Sequence, residues 1–100
     1  MSKKETFDAI FDIVMSESEI DYCDLVNTKV RTREVVDARC LLVHFLLDYA
    51  GFSVSYVSKY LSMTVQGVRQ IKFSFYDRMK QGGKIFAITH ERIRKKVESI

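Results

Sequence analysis

The chain reads as an all-α protein, a single compact domain over residues 1–100 built of about six helices that include a helix-turn-helix. Three observations predict this. Apolar residues recur three and four apart from Phe7 through Val97, the period of helices with one buried face. Proline is absent and glycine occurs four times, so few positions interrupt a helix. Residues 53–71, SVSYVSKYLSMTVQGVRQI, hold two short amphipathic segments separated only by Ser62-Met63-Thr64.

In chain order, Phe7, Ile10, Phe11 and Val14 define the buried face of a first helix that begins at Thr6 or earlier. Phe7 and Phe11 read as core and not as a dimerisation stripe. Ser16 to Glu19 reads as a connection, and Ile20 to Val26 as a short second helix with Asp21 as candidate cap. Asn27 to Arg33, NTKVRTR, is a polar loop with three positive charges. From Val35 to Tyr49 apolar residues fall on more than one side, which predicts a central helix packed among several others and ended by Gly51 in a left-handed conformation. His44 lies in this run without a His, Cys or carboxylate at ligand spacing and reads as structural. Cys23 and Cys40 both fall in helical territory, without a CxxC spacing, and are expected to be buried free thiols.

Within 53–71, Val57 and Leu61 on one helix can face Val68 and Ile71 on the next. Ser62 takes the tight-turn position, Met63 plugs the angle, Thr64 caps the second helix, and Ser58 is small enough for close crossing. Thr64, Gln66, Gly67, Arg69 and Gln70 then point outward, with Lys72 and Phe73 further along, and Val65 joins the candidate base contacts. Gln can bond adenine bidentately, Thr and Val can touch a thymine methyl, and Arg or Lys can reach guanine or phosphate. Arg and Lys on the preceding basic loop suit phosphates or a narrow minor groove. The second helix continues through FSFYDRMK, so that the helix-turn-helix core spans 53–79, and Gly82-Gly83 stops it. Residues 84–100 are expected to fold back as a helical lid, with Thr89 capping the last helix, HERIRKKVESI.

The charge is unevenly divided. Residues 1–27 carry two Lys and seven acids (2 − 7 = −5), and residues 28–100 carry fourteen Lys or Arg and six acids (14 − 6 = +8), which sums to the net +3. This suits a module whose basic part approaches a polyanion while its acidic part faces away. No catalytic residue, cofactor-binding motif or metal-ligand cluster stands out: the chain has no phosphate-binding glycine loop, HExxH or nucleophile elbow. No apolar run approaches the ~20 residues of a membrane span, and MSKKETFD lacks a signal core, so a cytoplasmic protein without a membrane or small-molecule partner is expected.

From Phe7 onward the order of features resembles the C-terminal DNA-binding domain of the bacterial replication initiator DnaA, a Trp-repressor-like helix-turn-helix fold. IDYCDLVNTKVRTREVVDAR is similar to that family's short helix, basic loop and start of the long helix, and LLVHFLLDYAGFSVSYVSKYL to its long helix and first helix-turn-helix helix. The resemblance puts Lys29, Arg31 and Arg33 on the basic loop, with Arg31 matching the arginine that enters the minor groove, and Arg39 on the arginine that opens the long helix. Where the family carries Asp-His-Ser/Thr-Thr, this chain has Thr64-Val65-Gln66-Gly67, after a turn one residue shorter. The resemblance implies DNA binding without implying replication initiation, since the initiator's ATPase domain has no counterpart here.

The expected function is therefore non-enzymatic binding of double-stranded DNA, in a nucleoid-associated regulator of replication or transcription. Thr64, Val65, Gln66 and Gln70 would meet bases, Arg31 the minor groove, and Lys29, Arg33, Arg39, Arg69 and Lys72 phosphates. The alternative is a protein-interaction module of the same fold, engaging another DNA-bound protein.

Overall fold

A computed structural model describes residues 2–81 and 83–100. Six helices account for nearly all of them: α1 (Lys3–Ser18), α2 (Tyr22–Val26), α3 (Arg33–His44), α4 (Val54–Leu61), α5 (Val65–Gln81) and α6 (Gly83–Glu98). No strand occurs among the described residues. The all-α class is as the periodicity predicts.

Helix α1 starts earlier than Thr6. Ser2 and Glu5 form a capping box in which Ser2 Oγ accepts from Glu5 N at 3.1 Å. Phe7, Ile10, Phe11 and Val14 are buried, as their spacing requires. Two lysines clip the start of α1 to α4, Lys3 Nζ over the Tyr56 ring at 4.4 Å and Lys4 Nζ over Tyr60 at 4.8 Å. Residues 16–18 belong to α1 and not to a connection, because only at Glu19 does the backbone turn left-handed, at φ 56°. Asp21 takes the N-cap position of α2, but its side chain makes no capping bond.

The central helix is the element on which the others pack. Val35, Ala38, Cys40, Leu41, Leu42 and Val43 are all buried, and the helix packs chiefly against α5, α1 and α2. It begins at Arg33, and its regular part ends at His44. Phe45–Tyr49 continues it as one π-helical turn in which Ala50 N donates to Phe45 O at 2.9 Å. Phe45, Leu46 and Leu47 on this turn extend the buried run of α3. Gly51 follows at φ +79°.

Cys40 is buried with its thiol 3.8 Å from Ile71 O, and burial pushes its pKa up. Cys23 is exposed, contrary to expectation, since the five residues of α2 give only Leu25 to the core. The last helix also differs from expectation. It runs unbroken from Gly83, at φ +77°, so Thr89 lies inside it and donates its hydroxyl to Ile85 O at 2.9 Å instead of capping. Gly82 lies outside the described residues. Phe86, Ile93 and Val97 hold α6 against the core, while Arg94 is engaged by Glu91 and Glu98 and Lys96 by Glu17. No helix among the described residues is long and apolar enough to cross a membrane.

His44 is a packing residue. Its ring stacks on Phe75 with centroids 3.7 Å apart, its Nδ1 lies 3.2 Å from Asp48 Oδ2, and the His90 ring is 5.4 Å away. Burial lowers the pKa of His44, against the opposing pull of Asp48; burial also lowers that of His90, with Glu91 opposing and Arg94 adding to the effect. Folding thus favours both neutral rings, a contribution complete above the ordinary imidazole range and lost as pH falls through the lowered values. The melting temperature is expected to fall between about pH 7.5 and about pH 5.5. His44→Phe, which keeps the stack, should shrink that fall in circular-dichroism melts, and an identical pH response in variant and wild type would refute the assignment.

Candidate nucleic-acid interface

Two segments far apart in sequence, the loop after α2 and the first turns of α5, lie side by side on α3. The turn between α4 and α5 sets the second of them. Ser62 ends α4 at φ 54°, a left-handed conformation that costs a non-glycine residue roughly 1–2 kcal/mol. Met63 is half-buried against the core, and Thr64 Oγ1 accepts from Gly67 N at 2.9 Å. The cap satisfies one amide that the first turn of α5 would leave open. Val57, Leu61 and Val68 are buried, Ile71 packs against the same core, and Ser58 is buried on α4. The left-handed Ser62, the inward Met63 and the Thr64 cap take the places their chemistry predicts.

The loop is braced from within and from beneath. Lys29 N donates to Asn27 Oδ1 at 3.0 Å and Val30 N to Asn27 O at 3.0 Å, which closes a tight turn. Below it, Arg39 of α3 donates from Nε to Leu25 O at 2.9 Å. Its Nη2 reaches Asp24 O at 3.1 Å, Asn27 O at 2.8 Å and Val30 O at 3.2 Å. Arg39 is 6% exposed, so the phosphate contact expected of it is replaced by contact with backbone carbonyls. The reason is the end of α2: a five-residue helix leaves its last carbonyls open, and a buried guanidinium fork fills them. Burial lowers the Arg39 pKa, and the charge of Arg31 lowers it further.

The remaining predicted residues divide into three groups. Arg31, Thr64 and Gln70 are brought together, lining with Thr28 and Arg78 a cleft of about 420 Å³ between loop and α5. Val65, Gln66 and Arg69 are exposed on α5 outside that cleft, and Lys29 is exposed on the loop. Arg33 and Lys72 stand apart. Arg33 opens α3 with its side chain 71% exposed and Nε 3.9 Å from Asp37 Oδ2. Lys72 Nζ lies 3.5 Å from Asp48 Oδ1, so a phosphate there would have to compete with a carboxylate already in place.

Arg78 is the residue that sequence reading passes over. It pairs with Asp37 across α3 and α5 and borders the cleft. Its spacing of four from Ser74 and seven from Ile71 puts it on the α3-facing side, a signal legible only once that side is known. The acidic part of the chain also does not stand clear of the basic part. Helix α2, with Asp21 and Asp24 exposed, is tied to the root of the loop through Arg39. No group of three His, Cys, Asp or Glu among the described residues is placed to hold a metal ion. No family model, curated protein or solved structure matches this chain.

The turn makes opposite demands at neighbouring positions. Thr64→Ala removes the cap and should cost about 1 kcal/mol, whereas Ser62→Gly relieves the left-handed residue and should add about 1 kcal/mol. Urea unfolding of the two variants checks both signs.

Proposed function

We propose that the chain is a non-enzymatic double-stranded DNA-binding protein that uses α4 and α5 as a helix-turn-helix. The observation carrying this reading is the cleft that sets Arg31 of the basic loop beside Thr64 and Gln70 on the first turns of α5. A helix start bearing Thr, Gln and Arg fits a major groove, and a basic loop one cleft away fits the adjacent backbone or minor groove. Thr64, Val65, Gln66 and Gln70 would meet base edges and Arg31 the minor groove. Lys29, Arg33 and Arg69 would meet phosphates, with Lys72 joining only by leaving Asp48. The resemblance to the DnaA C-terminal domain supports the same reading, and a regulatory or replication-accessory role on a bacterial nucleoid would follow from it.

A second reading has its own support. Phe73 is 69% and Tyr76 is 62% exposed on the outer side of α5, an aromatic surface that suits a protein-interaction module of the same fold that has lost sequence-specific DNA reading.

Selection from a randomised duplex pool, then fluorescence anisotropy across a salt series, tests the first reading. A clear motif is expected, with binding that weakens as salt rises. Arg31→Ala should weaken every duplex and reduce the salt slope by about one, and Gln66→Ala should relax preference at one base position by about 1–3 kcal/mol. No enrichment, with equal weak binding to all duplexes, would instead favour the protein-interaction reading.

A further inference from the structure

Arg39 is a buried cation, yet the groups it bonds are uncharged. Its four hydrogen bonds run to backbone carbonyls at the end of α2 and in the basic loop. One of those carbonyls has a particular place. Val30 O belongs to the peptide unit whose nitrogen is that of Arg31, so the clamp holds the peptide plane that leads directly into the Arg31 Cα. The next residue of α3, Cys40, is packed against Ile71 O and Ser74 of α5, with Sγ 3.8 Å and 3.6 Å away. Adjacent residues of one rigid helix therefore brace the loop and abut α5.

We propose that Arg39 is a positioning residue: acting through the Val30 carbonyl, it fixes Arg31 relative to the first turns of α5, so that loop and helix meet DNA as one preformed surface. Ordering the loop in advance removes an entropic cost that binding would otherwise bear. The clamp itself stands on the geometry, and its role for Arg31 rests on the DNA-binding reading.

Arg39→Lys separates the effects, because lysine keeps the charge but not the planar fork that spans several carbonyls. In the free protein, amides of residues 27–32 should exchange roughly tenfold faster in the variant while those of α5 and α6 keep their rates. Unchanged loop exchange overturns the clamp. For DNA, fluorescence anisotropy on a mixed-sequence duplex of about 20 base pairs compares wild type, Arg31→Ala, Arg39→Lys and the double variant. Arg39→Lys should weaken binding by about tenfold, and the double variant should be no more than about twofold weaker than Arg31→Ala. Additive losses would make Arg39 an independent contributor, and wild-type affinity for Arg39→Lys would leave it without a part in binding; either overturns the positioning role.

A glycine inserted between Val30 and Arg31 leaves Arg39 and the core untouched, so it serves even where Arg39→Lys unfolds. It should lower affinity to the level of Arg31→Ala, and wild-type affinity would overturn the inference. A wild type that binds no duplex refutes the DNA reading and with it the role for Arg31; faster loop exchange would then leave Arg39 as a clamp of the fold alone.

Discussion

Burial of the middle of α3, Ala38 to Val43, at every position is the constraint from which the other placements follow. Each large side chain it removes from water contributes roughly 1.5–3 kcal/mol, so Leu41, Leu42, Val43, Phe45, Leu46 and Leu47 can be satisfied only if α1, α4, α5 and α6 close around them. Surrounding a helix this completely leaves little room for polar atoms without partners. Arg39, Cys40 and His44 each meet that demand differently, through carbonyl bonds, a weak thiol contact and a ring stack with a carboxylate beside it.

The same constraint joins the two segments of the candidate interface. The basic loop and the start of α5 are more than thirty residues apart in sequence, and neither packs mainly on the other. Both take their positions from α3, the loop through Arg39 and α5 through Cys40 and the Asp37–Arg78 pair. Variants within α3 that leave every candidate contact intact can therefore disturb the geometry between those contacts.

Much of this was legible because local chemistry and tertiary packing agree. The buried faces of α1 and α4, the turn at Ser62, the Thr64 cap and the left-handed Gly51 each depend on residues within a few positions of one another. The errors share the opposite character. Arg39 sits in a cationic neighbourhood, and only the meeting of α2's open end with α3 shows that carbonyls and not phosphates occupy it. Thr89 has a capping side chain but lacks a backbone break before it, and a helix already running from Gly83 absorbs it. Cys23 lies on a helix too short to bury more than Leu25. Lys72 looks free until the π-helical turn delivers Asp48 to it.

That turn also gives the chain a length sensitivity out of proportion to its size. A π turn contains one residue more than the regular helical path needs, so Phe45–Tyr49 acts as a phase shifter between α3 and everything after it. Removing one residue there would let the regular pitch resume and turn the exit of the chain by about 100° around the α3 axis. Val57 and Leu61 would then leave their line toward the core. The connection at residues 50–53 would have to take up that rotation for α4 and α5 to keep the orientation of the candidate reading surface.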